Sequence, residues 1–307
     1  MIHQCLVSGE MALDPLPGWS KSGHWVESKE ALALQAALVS GRPLLLRGEP
    51  GTGKTQLARV AAQQLGWPLI HKVINGRSEL DDLFWSYDAV DRLGEAQILT
   101  AAPAAKRLEI LNQKRFLAPG PIWWAFDWEG AANQYSHARR KLGKPHWPSP
   151  NTPQGAVLLI DEIDKANIDL PNGLLEAFGQ GSFQVPWLED NVVSRGDRPL
   201  LMVLTTNEER ELPRAFLRRC LVLQLEYPEA DDEPQFLEWF TKRSRVHFSE
   251  EALADDVVVA AIHQIMQDRL TSEYGNIRPG LPELIDLLLV LMEPDPQNAE
   301  APLARST

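Results

Sequence analysis

The sequence lacks several features that would define other classes of protein. Its 307 residues contain two cysteines, Cys5 and Cys220, too few for a disulfide framework and without the spacing of a zinc site. The seven histidines include no H-E-x-x-H pattern. No apolar run is long enough to span a membrane, and the N-terminus lacks the basic-then-apolar pattern of a secretory signal. We therefore expect a reducing, cytoplasmic setting.

Positive charge is also scarce. The net charge is −12, and residues 229–307 alone carry 16 Asp and Glu against 6 Lys and Arg. An acidic surface argues against a general affinity for DNA or RNA. A nucleic-acid motor stays open as an alternative. The basic cluster Arg139-Arg140-Lys141 and Lys144 lie close in sequence to Trp147. A basic groove with aromatic side chains is typical of proteins that bind single strands.

The most informative feature present is a phosphate-binding loop. Residues 48–55 match G-x-x-x-x-G-K-[ST] without a mismatch, and they stand between a short apolar run and a helical pattern. This context places phosphates at a helix N-terminus, where free N–H groups favour anions. The predicted nucleotide-binding residues are Gly48, Glu49, Pro50, Gly51, Thr52, Gly53, Lys54, Thr55 and Gln56. Lys54 is expected to contact the β- and γ-phosphates, and Thr55 is expected to be a Mg²⁺ ligand.

Strands alternate with helices over much of the chain, which predicts an α/β fold with a parallel sheet. Residues 1–25 contain prolines and glycines without a sustained period, and we interpret them as a loose N-terminal arm. Residues 26–228 form the predicted α/β core. Residues 229–307 show helical periodicity and are interpreted as a separate, small all-α domain.

Two further strands are predicted to end beside the phosphate-binding loop. Val157–Ile160 is apolar and precedes Asp161 and Glu162, while Leu201–Leu204 leads to Asn207. Ligands of open α/β sheets bind at the carboxyl ends of strands. Asp161 is therefore a candidate Mg²⁺ ligand, and Glu162 is a candidate to polarise the attacking water. Asn207 is a candidate partner of the γ-phosphate, although a simple Asx-turn remains the alternative.

Together these segments resemble AAA+ ATPases, with the P-loop Gly48–Thr55, the strand end Leu158–Lys165, the Thr205–Asn207 segment and Glu211–Cys220 carrying the resemblance. The sequence is most similar to the MoxR family, in the clade with an insert in helix 2 and a hairpin before sensor 1. The resemblance covers about Val26 to Val290 and implies a P-loop AAA+ core with helices on both faces, followed by an all-α lid. It implies inserts at about 87–120 and a hairpin at 183–194.

The resemblance also implies roles for single residues. Asn207 corresponds to sensor 1, and Arg219 to the arginine finger that acts on the ATP of a neighbouring subunit, with Arg218 as a second candidate or a plain surface arginine. Pro282 occupies the expected place of the sensor 2 arginine, and Arg278 is the candidate substitute. The segment before the first helix borders the base in this fold, so Trp25 or Val26 is a candidate contact or simply packs.

The function that these features imply is hydrolysis of MgATP by a ring of subunits, a hexamer by resemblance, that remodels partner proteins in the manner of a chaperone. The resemblance further implies a partner with a von Willebrand factor A domain. The alternative is an ATP-dependent regulatory switch with low basal turnover, serving a defence or signalling system.

Overall fold

The computed structural model describes residues 5–101, 103–167, 169–188, 192–272 and 278–292. Its strands are β1 Gly9–Leu13, β2 Ser22–Val26, β3 Leu44–Arg47, β4 Leu69–Val73, β5 Trp85–Tyr87, β6 Leu117–Pro119, β7 Ala156–Asp161, β8 Ser182–Gln184, β9 Val192–Ser194, β10 Leu200–Thr206 and β11 Leu221–Gln224. Its α-helices are α1 Ser28–Ser40, α2 Lys54–Leu65, α3 Asp81–Phe84, α4 Ala89–Ile98, α5 Ala104–Ile110, α6 Pro121–Phe126, α7 Trp128–His137, α8 Asp169–Gln180, α9 Arg214–Leu217, α10 Glu233–Arg245, α11 Asp255–Thr271 and α12 Leu281–Met292. Of the described helices, none combines the length and the apolar character that a membrane span requires.

A five-stranded parallel sheet forms the centre of the chain, in the order β11-β3-β10-β7-β4. Strand β10 pairs with β3 on one side and with β7 on the other, so both are its direct neighbours. The carboxyl ends of β3, β7 and β10 therefore meet at one edge of the sheet. The predicted α/β fold with a parallel sheet is confirmed.

The sheet is covered on both faces. Side chains of β7 alternate between two cores: Leu158 and Ile160 pack with α6 and α8, while Val157 and Leu159 pack with α1 and α2. All four are fully buried. This explains why the strand is a continuous apolar run, since a strand covered on both faces has no polar side.

The N-terminal segment is not a loose arm, and that interpretation was wrong. Strands β1 and β2 form an antiparallel pair with Gly9 opposite Val26. Helix α2 holds this pair: the Arg59 guanidinium donates to the carbonyl of Asp14 at 2.9 Å and to the Ser22 hydroxyl at 3.0 Å. The strands are five residues each and are separated by prolines, so their alternation is too short to show in the sequence.

The segment between α3 and α6 is an insert, which we define as residues 88–116. It leaves the core after β5 and returns at β6, and these two strands pair antiparallel. Helices α4 and α5 lie between them, so the insert that the resemblance implies at about 87–120 is a strand pair closed by two helices.

The hairpin expected between Phe183 and Ser194 is present as β8 and β9, with Phe183 opposite Val193. It connects α8 to β10. Helix α6 is rich in tryptophan, and Trp123 and Trp124 are buried in the core.

Helices α10, α11 and α12 form a separate core around Phe236, Phe240, Ile262 and Leu284. Helix α11 starts at Asp255. Residues 249–253 before it form a turn in which the Ser249 carbonyl accepts from the amides of Ala252 and Leu253. Asp255 and Asp256 occupy the first turn, where carboxylates interact favourably with the helix dipole. Residues 293–307 of the predicted all-α domain lie outside the described residues.

Candidate functional site

The phosphate-binding loop runs from the end of β3 to the start of α2. Gly51 has φ +80° and Gly53 has φ +94°, in the left-handed region that favours glycine. A Cβ at Gly53 would lie 2.5 Å from His24 Cε1. The sequence therefore needs glycine at this position for both backbone conformation and space, and the resulting curl is that of an anion-binding loop.

Lys54 is buried at the start of α2. Its Nζ donates to the carbonyl oxygens of Gly48 at 2.7 Å and Glu49 at 2.8 Å. Burial lowers the pKa of Lys54, and the nearby Asp161 carboxylate opposes that shift. The Lys54 ammonium is thus held at the loop, where it would neutralise negative charge on a bound phosphate chain.

The Asp161 carboxylate lies at the end of β7, beside the loop. It accepts from the Thr55 hydroxyl at 3.1 Å and from the Thr205 hydroxyl, and His71 Nε2 lies 3.4 Å away. Burial raises the pKa of Asp161, but hydrogen bonds from His71, Thr205 and Thr55 outweigh it and the net pKa is lowered. An anionic carboxylate next to a threonine hydroxyl is the donor set that Mg²⁺ prefers, so these residues fit the predicted metal.

Glu162 follows Asp161 with φ +60°, an uncommon conformation for a residue other than glycine. Its amide donates to the Thr205 hydroxyl at 3.0 Å, which links the ends of β7 and β10. Its carboxylate lies 3.0 Å from Lys165 Nζ. The same threonine therefore binds both the Asp161 carboxylate and the Glu162 amide, which fixes the ends of β7 and β10 relative to each other.

These side chains line one cavity of about 480 Å³ between the loop and the helical domain. Lys54, Thr55, Asp161, Glu162 and Asn207 line one end. Pro50, Gly51, Gly53 and Gln56 of the phosphate-binding loop and the start of α2 also line it, so the structure brings nine of the predicted site residues together.

The other end of the cavity is lined by Gly23, His24, His247, Pro282 and Ile285. The base candidates Trp25 and Val26 do not line it, although they belong to the same strand as Gly23 and His24. Burial lowers the pKa of His24 to about 4, with the positive charge of Arg243 and the neighbouring His247 adding to the effect. His24 is thus neutral at pH 7 and presents an uncharged ring to the cavity.

The helical domain is attached to the phosphate-binding loop by Arg269 of α11. Its guanidinium lies 3.2 Å from the Glu49 carboxylate, donates to the Pro279 carbonyl at 2.8 Å and lies over the ring of Tyr227. The Tyr227 hydroxyl donates to the Pro50 carbonyl and accepts from the Leu281 amide, both at 3.2 Å. Two residues of the loop are therefore tied to the lid.

Arg278, the predicted sensor 2 substitute, is exposed and is not among the described residues that line the cavity. Pro282 instead meets the loop, because a Cβ at Gly51 would lie 2.5 Å from Pro282 Cδ. The arginine that the structure brings to the loop is Arg269.

Arg218 and Arg219 are exposed and lie away from this cavity. Arg219 lines a different groove with Arg42 and Pro43, next to α8. Arg42 donates to the backbone carbonyls of Arg218 at 3.0 Å and Cys220 at 2.8 Å. Their backbone is therefore fixed while the side chains face outward.

The sequence reasoning missed His24 and His247, which line the cavity, and four residues that contact the predicted ones. His71 contacts Asp161, and the Trp19 ring lies 5.0 Å from the ring of His71, so the β1–β2 connection reaches the carboxylate. Arg269 and Tyr227 hold the loop from the lid. His71 had one usable signal, because it stands in the short apolar run Trp67–Ile74, which is typical of a strand, and the strand there pairs with β7. The other three have no local pattern.

Comparison with known proteins places this geometry in a family. A model of the AAA domain, dynein-related subfamily, matches residues 43–220, more than half of the chain. No curated protein matches the chain.

Solved structures with a similar fold include a point mutant of RuvB from Thermotoga maritima, with 19% identity and a TM-score of 0.41 over 86% of this chain and 62% of that one. A Cytophaga hutchinsonii protein described as a candidate ATPase has 13% identity and a TM-score of 0.38 over 85% of this chain and 56% of that one. The Thermotoga maritima RuvB Holliday junction branch migration motor has 18% identity and a TM-score of 0.33 over 86% of this chain and 67% of that one. The chain spans less than two thirds of the length of the first two.

Proposed function

The chain belongs to the dynein-related subfamily of AAA domains, and we propose that it binds MgATP and hydrolyses ATP to ADP and phosphate. The observation that carries this proposal is the single cavity lined by Lys54, Thr55, Asp161, Glu162 and Asn207. These are the positive charge, the metal-binding oxygens, the carboxylate and the amide that phosphoryl transfer to water uses.

Each of these side chains has a task that follows from its position. Lys54 neutralises charge on the β- and γ-phosphates, and the backbone of Gly51 and Gly53 surrounds their oxygens. Thr55 and Asp161 would hold Mg²⁺, which when bound neutralises charge on the phosphates. Asp161 is suited to this because hydrogen bonds from His71, Thr205 and Thr55 hold its pKa below the usual value despite burial.

In this proposal Glu162 and Asn207 act on the attacking water, and their shared lining of the cavity supports it. Glu162 polarises that water and accepts its proton, and Asn207 orients the water against the γ-phosphate. The Thr205 hydroxyl supports this arrangement, since it binds both the Glu162 amide and the Asp161 carboxylate. A fixed carboxylate costs less to orient during the reaction than a mobile one.

We further propose that the active form is a ring, a hexamer as in the MoxR-like proteins that the sequence resembles. Arg219 is exposed and lies outside the cavity of its own chain. It therefore acts on the ATP of a neighbouring copy, with Arg218 as the second candidate. A mixture of Lys54→Ala and Arg219→Ala chains tests this, because it would recover activity at interfaces that combine an intact loop with an intact Arg219.

The proposed work of this ATPase is remodelling of partner proteins. Resemblance to the MoxR family supports this, and it extends the proposal to a partner with a von Willebrand factor A domain. No groove among the described residues points to this partner class. Pull-down with purified domains of this class in the presence of ATP tests the proposal.

Two variants test the hydrolysis itself. Lys54→Ala is expected to lose nucleotide binding and turnover, because it removes the positive charge at the phosphates. Glu162→Gln is expected to bind ATP with near wild-type affinity and to lose turnover by a factor on the order of 10²–10³. Binding by fluorescent ATP analogue and turnover by phosphate release separate the two effects. Full turnover in both variants would overturn the assignment.

A slowly hydrolysing switch is the second candidate, and the Lys165 contact favours it. Lys165 Nζ lies 3.0 Å from Glu162 and 3.7 Å from Glu209, so the catalytic carboxylate is engaged by a cation. A carboxylate held in an ion pair is less free to contact an attacking water. In that case wild-type basal turnover is low and Lys165→Ala raises it; unchanged turnover in that variant would remove the support.

A further inference from the structure

Helix α4 of the insert has the opposite orientation to an ordinary surface helix, with its charged side facing inward and its apolar side facing solvent. Its charged residues face the body of the protein: Arg139 Nη1 lies 3.2 Å from Asp91 and 2.5 Å from Glu95. Arg92 Nε donates to the Leu111 carbonyl at 3.1 Å. A surface helix normally buries its apolar side and exposes its charges.

The apolar side of α4 faces outward. Val90, Leu93 and Ile98 share one side of the helix at helical spacing, and they are 83%, 62% and 79% exposed. No residue of α4, all of which the structure describes, is buried. Leu108 on the adjacent α5 is also exposed. Contiguous apolar surface of this kind marks an interaction site more often than a free surface.

A cleft of about 310 Å³ adjoins this apolar side, at the start of α4. The buried side chains Phe116, Leu117 and Ala138 line it. Its charged lining residues are Asp88 and Asp91, which pair with Arg140 and Arg139, and Arg115, which leaves one excess positive charge. The cleft can take one apolar side chain whose neighbours are acidic.

The charge of the region is opposite to that of the rest of the chain. Residues 85–144 contain nine Lys and Arg against six Asp and Glu, a net charge of +3, so the remainder carries −15. Asp88, Asp91 and Glu95 are paired with Arg139 or Arg140, whereas Lys106, Arg107 and Glu109 on α5 are exposed and leave an excess of one positive charge there. The outward surface is therefore apolar and basic.

We propose that α4 and the adjoining cleft form a docking site for an acidic amphipathic segment of a partner protein. The exposed apolar stripe favours a helical peptide over a nucleic acid, because a nucleic acid would gain from stacking and phosphate contacts that Val90, Leu93 and Ile98 do not offer. The docking site rests on the proposed function insofar as the partner is the protein that ATP hydrolysis acts upon.

The site is physically continuous with the strands of the ATP site. The Tyr87 ring, immediately before the insert, stacks on Trp187 with ring centroids 4.3 Å apart. Trp187 belongs to the connection between β8 and β9, and Trp85 Nε1 donates to the Gln184 carbonyl at 3.3 Å. This hairpin leads directly into β10, which ends at Thr205 and Asn207. A partner bound on α4 is thus attached to the element that carries the site.

The test selects peptides on the full chain. A phage-displayed library of random peptides, long enough for four helical turns, is selected on the wild-type protein and counter-selected on Leu93→Ser/Ile98→Ser. Enriched peptides are then synthesised and their Kd is measured by fluorescence anisotropy. We expect net negative peptides with apolar residues at i and i+4, and affinity at least about tenfold weaker for Leu93→Ser/Ile98→Ser and for Lys106→Glu/Arg107→Glu.

The matched control is Leu32→Ser/Val39→Ser, which removes two equally exposed apolar side chains from α1 and is expected to leave the Kd unchanged. Enrichment of basic peptides, no enrichment, or competition by single-stranded DNA would overturn the proposal. So would dissociation of the oligomer in Leu93→Ser/Ile98→Ser, because the surface would then lie between copies. ATP turnover is measured separately, and its absence in the wild type would sink the proposed function without touching the peptide result.

Discussion

The edge of the sheet that holds the candidate ATP site and the insert that projects beside it are built on opposite rules. At the edge, charged side chains are partly or fully buried, and each has polar partners. Lys54 donates to loop carbonyls, and Asp161 contacts two hydroxyls and a histidine. In the insert, apolar side chains of α4 are exposed while its carboxylates are turned inward. The contrast shows that the charged groups of the edge find partners within the chain, whereas the insert presents a surface suited to another molecule.

The largest expected effect concerns stability, and it separates the core from the insert. Trp124 is fully buried in α6, directly after the insert, and its ring packs edge-on against Trp128 at 5.0 Å. We expect Trp124→Ala to lower the free energy of unfolding by roughly 3–5 kcal/mol, because it leaves a large cavity. Leu93→Ala on α4 is the matched change and is expected to stay within about 0.5 kcal/mol. Urea unfolding of both variants measures this; comparable costs would break the comparison.

The next effect is a pH dependence of stability. The unfolded chain protonates His24 near the ordinary histidine pKa of 6.5, whereas burial holds the pKa of His24 in the folded chain at about 4. Between these values the unfolded state binds more protons, so stability is lost as pH falls from 6.5 towards 4. From pH 7 to pH 5 we expect a loss of about 2 kcal/mol from this group. The pKa of His247 is also lowered by burial and acts in the same direction.

His24→Gln is the variant that isolates the effect, since glutamine does not titrate. Unfolding of this variant and of the wild type is followed in denaturant at both pH values. The wild type is expected to lose more stability than the variant; equal losses in both proteins would mean that His24 does not keep its neutral form in the folded chain.

The smallest effect separates two arginines of the lid. Arg269→Ala removes the contacts to Glu49 and Pro279 and exposes the Tyr227 ring, so the lid is held less firmly on the loop. We expect nucleotide affinity to fall by about tenfold, the range of one hydrogen-bonded charged contact. Arg278→Ala is the matched control and is expected to change affinity little, because Arg278 is exposed. A larger effect of Arg278→Ala would restore it as the sensor 2 residue.

The sequence allowed prediction of the edge because each of its parts is a local pattern. The loop from Gly48 to Thr55, the strand ending at Asp161 and the strand leading to Asn207 each contain their signal within a few residues. The parallel sheet then brings these ends together. The fold class is confirmed, while the roles of Glu162, Asn207, Arg219, Arg218 and Arg278 stay predictions.

The sequence did not allow prediction of contacts between distant segments. Arg269 and Glu49 are 220 positions apart, and the Trp19 ring reaches His71 from a strand pair too short to show alternation. The orientation of α4 was equally hidden, since the same apolar spacing at Val90, Leu93 and Ile98 would normally predict the buried side. The charged side of α4 faces inward because Glu95 pairs with Arg139 and Arg92 donates to the Leu111 carbonyl, and both partners come from later segments.

The central claim is that the site of one chain is completed by Arg219 of another, and turnover against protein concentration tests it most directly. We expect the rate per subunit of the wild type to rise steeply with concentration. In Arg219→Ala we expect it to fall by a factor on the order of 10³ at every concentration. Arg218→Ala, with its exposed side chain one residue earlier, is the matched control and is expected to retain more turnover. A rate that is flat with concentration and unchanged in Arg219→Ala would contradict a site shared between copies.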